Sequence, residues 1–216
     1  MKPIAIFYHI YLGGGTIPCD SENVTQIVTE QLSALHASGL AAVASYIEIG
    51  VSGSEEDAFM VQSMAPNWKV THNKSGVGEL PTMKLMQNFI REHKKGWYVL
   101  YFHTKGAIYK GHDSVTAWRN CMENVVIWRW KSCISDLDSG VDSCGCHWLT
   151  PAMYPIIGRV PYWGGNFFWA KIELLNTMPD IDVNADRYQA EVWIGKGRRA
   201  RIRDYAVHWP GAGCMR

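Results

Sequence analysis

The sequence has no long apolar run and no excess of charge of either sign. No stretch approaches the roughly 18 consecutive apolar residues of a membrane-spanning helix, and Lys2-Pro3 leads into only a short apolar run, unlike a signal peptide. Lysines and arginines number 21 and aspartates and glutamates 20, which gives a net charge of +1. Broad electrostatic binding of nucleic acid or acidic membranes needs a basic surplus. We therefore expect a soluble cytoplasmic protein with no membrane span and no nucleic-acid partner.

Repeats, low-complexity tracts and linker-like segments are also absent. The 216 residues fit one domain with ample length for a hydrophobic core. The sequence therefore predicts a single domain over residues 1–216.

A second pair of metal-ligating residues is missing as well. Cys144, Cys146 and His147 stand close enough in sequence to suggest zinc, but no C-x-x-C or H-x-x-x-H pair accompanies them. We expect free thiols in a reducing compartment and predict no metal site. The six cysteines are Cys19, Cys121, Cys133, Cys144, Cys146 and Cys214.

What the sequence does have is an alternation of strand and helix patterns. This alternation predicts an α/β fold with a mostly parallel central sheet and helices on both faces. The carboxyl ends of such strands meet at one edge of the sheet, where ligands bind. The main predicted strands are 3–9, 40–49, 68–72, 97–103, 164–170 and 200–209, and the predicted helices include 21–39, 55–64, 113–137, 171–178 and 186–194.

The run WYVLYFHTKG, residues 97–106, indicates a buried strand that ends in ionisable groups, His103, Thr104 and Lys105. A lysine at the end of an apolar strand either extends to water or meets an anion, and we favour the anion. Arg119 on the following helix could converge with Lys105 on a phosphate. Trp118-Arg119 is equally well explained as a packing aromatic beside a surface charge.

The first predicted strand ends at Tyr8-His9, and Gly13-Gly14-Gly15 follows it. These glycines do not form G-x-G-x-x-G, so the dinucleotide fingerprint is not met. Tyr8 and His9 could frame a nucleotide base, although a buried tyrosine explains Tyr8 nearly as well. Glu48 ends the second predicted strand, but Gly13–Gly15 comes too late for a methyltransferase loop.

Two later segments combine polar and aromatic residues. The run GGNFFWA, residues 164–170, has two interpretations. In a binding site, Gly165 would allow close approach of the backbone, Asn166 would bond sugar hydroxyls and Trp169 would pack on the apolar face of a sugar ring. Otherwise the run is a tight turn that enters an aromatic strand. Glu191 in RYQAEVWIG is either a general base whose pKa apolar neighbours raise or a solvated helix residue. His208 ends the last strand, where a histidine is usually structural unless the chain returns to the site.

Together, YVLYFHTKG, Trp118-Arg119, GGNFFWAK and RYQAEVWIG resemble small glycosyltransferases with the GT-A fold, most of all bacterial and large-virus proteins related to the rhamnan-synthesis F type. The resemblance spans nearly the whole chain and implies a Rossmann-like GT-A sheet. It also implies transfer of a sugar from a nucleotide-diphosphate sugar to a hydroxyl of a glycan or glycoprotein, as in polysaccharide biosynthesis in a bacterial or virus-infected host cell. Glu191 matches the position at which inverting members carry the base.

The D-x-D motif of GT-A enzymes is absent from its usual place. That motif commonly follows the strand corresponding to 97–103 and holds a divalent metal on the diphosphate, whereas this chain has His103-Thr104-Lys105 there. The D-x-D pattern does occur elsewhere, at Asp136-Leu137-Asp138 and Asp180-Ile181-Asp182, but neither match follows that strand.

A requirement for Mn²⁺ or Mg²⁺ therefore stays open. Lys105 and Arg119 could neutralise the diphosphate directly, or His103 and His208 could hold a metal. The missing motif also leaves a second function open, a non-catalytic nucleotide-sugar-binding module of a larger assembly.

Overall fold

A computed structural model describes residues 2–13, 19–108, 111–150 and 159–205. The strands are β1 (Ile4–Tyr11), β2 (Tyr46–Ser52), β3 (Lys69–His72), β4 (Tyr98–His103), β5 (Ser143–Gly145), β6 (Trp148–Leu149), β7 (Tyr162–Trp163), β8 (Phe168–Lys171) and β9 (Ile202–Asp204). Seven of them form one sheet in the order β3-β2-β1-β4-β8-β5-β9, and β6 and β7 form a separate antiparallel pair.

The helices pack on both faces of this sheet, and two short segments depart from the α-helical form. The α-helices are α1 (Ser21–Ala37), α2 (Leu40–Val43), α3 (Glu55–Met64), α4 (Leu80–His93), α5 (Asp113–Glu123), α6 (Trp130–Asp138), α7 (Ile172–Leu175) and α8 (Tyr188–Val192). A π-helical turn covers Asn124–Trp128 and a 3₁₀ turn covers Trp193–Gly195.

Strands β3, β2, β1 and β4 run parallel, and β8 runs antiparallel between β4 and β5. Alternate residues of β1 enter opposite cores. Ile4, Ile6 and Tyr8 pack with α1, and Ala5 and Phe7 pack with α4. The predicted fold class, an α/β fold with a mostly parallel sheet and helices on both faces, is confirmed.

Local signals set the first helices as predicted. Asp20 caps α1 by accepting a hydrogen bond from the Asn23 amide at 3.0 Å. Gly39 follows the C-cap with φ of 75°, the left-handed conformation that ends many helices. Helix α3 spans 55–64 as predicted and begins with a reciprocal capping box between Ser54 and Asp57.

Two predicted elements are wrong. The run 40–49 is not one strand, because Leu40–Val43 forms α2 and the strand starts only at Tyr46. A short apolar run rich in alanine does not distinguish strand from helix by its pattern. The predicted helix 113–137 is interrupted by the π turn, in which the Val126 carbonyl accepts a hydrogen bond from Trp169 Nε1 at 2.8 Å.

The register brings polar residues to one edge of the sheet. His9 of β1 lies between Gly50 of β2 and His103 of β4. The Thr104 amide donates to the His9 carbonyl at 3.0 Å, which holds the ends of β1 and β4 together. Within the described ranges, no helix combines the length and the apolar character needed to cross a bilayer.

Candidate active site

Glu79 is the carboxylate around which the polar groups at this edge are arranged. It directly precedes α4, and its side chain is 17% exposed. Its Oε2 accepts hydrogen bonds from the Tyr101 hydroxyl at 2.9 Å and from Asn166 Nδ2 at 2.8 Å. Its Oε1 lies 3.7 Å from His103 Nε2. Groups from β4, from the start of α4 and from the turn before β8 therefore meet at one carboxylate.

The surroundings of Glu79 favour its ionised form. Burial raises the pKa of this carboxyl, but the neighbouring His103 and His9 and the hydrogen bonds from Asn166 and Tyr101 outweigh that effect. The resulting pKa lies below the ordinary value of 4.5. The site thus holds a fixed negative charge at neutral pH.

The two histidines beside Glu79 are buried and neutral. Burial lowers the pKa of His9 to about 4 and also lowers that of His103. His103 Nε2 donates to the Gly165 carbonyl at 2.9 Å, which orients the ring. His9 Nδ1 lies 2.8 Å from the Thr82 hydroxyl, which also accepts a hydrogen bond from Asn73. Both rings are therefore held in place as neutral hydrogen-bonding groups.

The turn before β8 requires an unusual backbone. Gly165 has φ of 85°, and a Cβ there would lie 2.7 Å from Met122 Sδ and 3.1 Å from the Trp118 ring. Asn166 has φ of 58° and no exposed surface. Its Oδ1 has no hydrogen-bond partner among the described residues. The turn thus places one amide group on Glu79 and leaves an acceptor oxygen unsatisfied.

Glu191 of α8 interacts electrostatically with residues of the same site. Burial raises its pKa above the ordinary value of 4.5. Lys105, Arg187 and the Gly165 backbone amide lower the pKa, and the negative charge of Glu79 raises it. A carboxyl group whose pKa is raised by burial is suited to accept a proton from a substrate.

Lys105 supplies a positive charge that acts on Glu191. Its Nζ lies 4.2 Å from the centre of the Trp118 ring, and the residue is half-buried. It forms no ion pair with a carboxylate in the part of the chain that the structure describes. A cation held on an aromatic face without a carboxylate partner can accept an anionic ligand.

Arg119 does not provide a second such cation, which corrects the predicted Lys105–Arg119 pair. Its side chain is only 7% exposed and lies 3.5 Å from carboxylate oxygens of both Glu30 and Glu123. Its Nη1 donates to the Lys105 carbonyl at 3.1 Å. The guanidinium is neutralised within the protein and positions the backbone of Lys105.

Two predicted binding residues lie in the core, because they have no exposed surface. Tyr8 stacks on Phe102 with ring centroids 4.4 Å apart, so it does not frame a base. Trp169 faces the core opposite Leu100 in the register of β8 and β4, so it offers no ring face to a sugar.

Two further assignments change for similar reasons. Thr104 is 3% exposed, and its Oγ1 accepts from the Tyr11 amide at 3.0 Å, so it ties β1 to β4. Glu48 lies inside β2 rather than at its end and pairs with Lys69 at 2.9 Å. The two D-x-D sequences found elsewhere in the chain do not belong to the site either. Asp136 forms an ion pair with Arg203, and Asp180 forms one with Arg91.

His208 lies outside the described residues, as do Gly14 and Gly15. The predicted pairing of His208 with His103 on a metal stays a prediction. The predicted residues that the structure does bring together are His9, His103, Lys105, Gly165, Asn166 and Glu191.

A family model described as "Domain of unknown function (DUF8361)" matches residues 7–189, which is most of the chain. The chain belongs to this family. No curated protein matches it.

Several solved structures are similar at low identity. Glucosyl-3-phosphoglycerate synthase from Mycobacterium tuberculosis, in complex with Mn²⁺, UDP and phosphoglyceric acid, is 14% identical with a TM-score of 0.45 over 89% of this chain and 62% of that one. Its complex with Mg²⁺ and UDP has 14% identity, a TM-score of 0.47 and coverage of 89% and 63%. A 4-diphosphocytidyl-2C-methyl-D-erythritol synthase has 13% identity, a TM-score of 0.42 and coverage of 88% and 93%. The chain spans about three fifths of the length of the synthase structures.

Glu79 is the site residue that sequence reasoning missed. It stands in GVGEL, just before Pro81 at the start of α4, where an acidic residue is usual because it complements the helix dipole. The buried partners Tyr101 and Asn166 are 22 and 87 positions away. Only the assembled sheet shows that this carboxylate belongs to the site.

Proposed function

We propose that this protein is a GT-A glycosyltransferase that moves a sugar from a nucleotide-diphosphate sugar to a hydroxyl of a glycan or glycoprotein, with inversion. The observation that carries the proposal is one site in which Glu191, a half-buried carboxyl with a raised pKa, interacts electrostatically with the cation Lys105. A base and a phosphate-binding cation are the two groups that such a transfer requires.

In the proposed reaction, Glu191 accepts the proton of the acceptor hydroxyl as that oxygen attacks the anomeric carbon. A new bond forms between the acceptor oxygen and the anomeric carbon, and the bond from that carbon to the diphosphate oxygen breaks. The nucleoside diphosphate leaves with the bonding electrons, and the Lys105 ammonium stabilises the charge that develops on it.

Binding of the donor would also raise the basicity of Glu191. Lys105 lowers the pKa of Glu191 through its positive charge. A diphosphate bound at Lys105 would neutralise that charge and add negative charge nearby, so the pKa of Glu191 would rise. Glu191 would then be a stronger base in the donor complex than in the free protein.

The network at Glu79 would bind and orient the donor sugar. Glu79 is 17% exposed and is fixed by Tyr101 and Asn166, so its carboxylate would accept a hydrogen bond from a sugar hydroxyl. Hydrogen bonds between fixed polar groups and sugar hydroxyls provide selectivity among hexoses.

The described residues do not fit a divalent metal at the diphosphate. Hard cations require several oxygen ligands, yet Oε2 of Glu79 already accepts two hydrogen bonds and its Oε1 faces His103. Lys105 stands where a metal-binding aspartate would be expected, and its charge would repel a cation. The proposed reaction therefore has no step that uses a metal.

The test is a donor screen by thermal shift, with and without Mn²⁺, followed by transfer assays with each stabilising donor. Binding to the native state raises the melting temperature by mass action. Lys105→Ala should weaken nucleotide binding and turnover while the protein stays folded. Lys131→Ala is the matched control, because Lys131 is an exposed lysine over the Trp130 ring.

Glu191→Gln separates catalysis from binding. We expect turnover to fall about 10²–10⁴-fold, the usual contribution of a general base, while donor binding persists. Donor binding by the wild type with neither transfer nor donor hydrolysis would instead support the non-catalytic module that the missing D-x-D motif leaves open. A product with retained anomeric configuration would exclude Glu191 as the base of an inverting reaction.

A further inference from the structure

A second cluster of reactive side chains lies outside the site at Glu79. The Sγ atoms of Cys121 and Cys146 are 3.5 Å apart. Cys121, Cys146 and His147 each offer one ligand atom, and these three atoms lie within 4.8 Å of one another. They come from α5 and from the residues directly after β5.

These separations suit one tetrahedral metal ion. Zn–S bonds of about 2.3 Å and Zn–N bonds of about 2.0–2.1 Å place tetrahedral ligand atoms about 3.6–3.8 Å apart. The observed spacing therefore needs only small side-chain movements to surround an ion. Thiolate sulfur together with imidazole nitrogen is the donor set that selects zinc over magnesium, calcium or manganese.

The backbone at His147 is strained in a way that serves this arrangement. His147 has φ of 67°, which is uncommon for a residue that carries a Cβ. The two carboxylate oxygens of Asp204 hold the turn by accepting from the His147 amide at 3.0 Å and the Trp148 amide at 2.9 Å. The Gly164 amide donates to the His147 carbonyl at 2.8 Å. A strained residue fixed from several sides is typical of a functional position.

We propose that Cys121, Cys146 and His147 bind one zinc ion, with a water molecule or another small ligand in the fourth position. Cys146 is buried, whereas Cys121 and His147 are half-buried, so the cluster is open on one side for that ligand. Three protein ligands with one open position distinguish such a site from a closed, four-ligand structural zinc site.

Trp118 links this zinc site to the candidate active site. Its ring contacts the His147 ring edge-on, with centroids 6.3 Å apart, and Lys105 Nζ lies 4.2 Å from the same ring. Zinc bound by His147 would fix the imidazole and, through Trp118, restrain Lys105. Zinc binding itself does not depend on the proposed transferase activity.

Zinc binding is tested directly on the whole chain. The reduced protein, freed of metal, is titrated with Zn²⁺ in competition with a coloured chelator. One equivalent should bind, and Co²⁺ in its place should give the thiolate charge-transfer absorption and strong visible bands of a tetrahedral cobalt–sulfur site.

His147→Asn is the decisive variant, because asparagine tolerates positive φ and keeps the turn while removing the imidazole. Zinc affinity should fall by more than the roughly 10–100-fold that is typical of losing a group that only supports a metal ligand. Cys121→Ser should have a similar effect, and Cys19→Ser, which changes a half-buried free cysteine elsewhere, should have none.

Three results would overturn the proposal. The first is the absence of stoichiometric binding, and the second is binding that His147→Asn and Cys121→Ser leave unchanged. The third is a Cys121–Cys146 disulfide that forms reversibly in a protein with no zinc affinity, which would make the cluster a redox pair. None of these measurements uses a sugar nucleotide, so failure here is distinct from failure of the proposed function.

Discussion

Asn166 Nδ2 donates to Oε2 of Glu79 at 2.8 Å and thereby joins the turn before β8 to the start of α4. The bond connects residues that are 87 positions apart and fixes both beside His103. Asn166 holds a left-handed backbone conformation, which asparagine tolerates better than most residues. Its amide and its backbone therefore contribute separately to the site.

Substitutions at Asn166 should separate these two contributions. Asn166→Gly removes the hydrogen bond to a charged group and should lower the free energy of unfolding by about 1.5–3 kcal/mol. Asn166→Ala removes the same bond and adds left-handed strain, so it should be less stable than the glycine variant by about 1 kcal/mol. Urea unfolding measures both values. An alanine variant as stable as the glycine variant would contradict the left-handed conformation of residue 166.

Glu191→Gln should make the protein more stable than the wild type at pH values above the pKa of Glu191. Burial gives Glu191 a higher pKa in the folded state than in the unfolded chain. The folded protein therefore keeps this proton at pH values where the unfolded chain has lost it, and stability falls as pH rises through the folded pKa. Glutamine does not ionise, so the melting temperature of the variant should exceed that of the wild type above this pKa and match it more closely below.

The raised pKa of Glu191 also determines at which pH the activity should fall on the acid side. The proposed base must be ionised, so turnover should fall as pH decreases through the raised pKa of Glu191, above the ordinary carboxyl value of 4.5. A pH–rate profile measures this limb. An acid limb at or below 4.5 would show that another group is the base.

The sequence predicted much of this arrangement, because strong local patterns specify the elements. The buried stripe of α1 and the apolar run of β4 both lie as predicted. Once the strands are parallel, their ends must meet at one edge, which brings His9 beside His103. Asn166 reaches the same place because β8 inserts directly beside β4.

The remaining features depend on which way individual side chains face. Tyr8 and Trp169 belong to binding-like motifs, but both faces of their strands are covered, so both side chains lie in a core. The sequence offers Arg119 as a cation for a phosphate, but the fold places Glu30 and Glu123 against it. Likewise, Cys121 has no local partner in the sequence, since Cys146 approaches it from 25 positions away.

Arg119→Ala should destabilise the protein strongly. Arg119 and Glu123 are both nearly buried, and removal of the guanidinium would leave the Glu123 carboxyl with the Gln31 amide but no cation. Loss of one member of a buried ion pair typically costs about 3–5 kcal/mol.

Glu123→Gln should rescue part of that loss. Burial raises the pKa of the Glu123 carboxyl, so a neutral amide is better tolerated there. A double-mutant cycle by urea unfolding tests the coupling. Additive effects of the two substitutions would show that the pair does not interact energetically.

His9 should make the protein sensitive to mild acid. Its folded-state pKa is about 4, below the ordinary value of 6.5, because the ring is buried. Between these two values the unfolded chain binds a proton that the folded protein does not, so stability is lost as pH falls from 6.5 towards 4. The difference corresponds to about 3 kcal/mol at most. His9→Gln, which cannot take up that proton, should lose less stability over this interval when unfolding is followed at pH 7, 6 and 5. If an NMR titration of the folded wild type showed the His9 ring becoming protonated near pH 6.5, the buried neutral imidazole would be excluded.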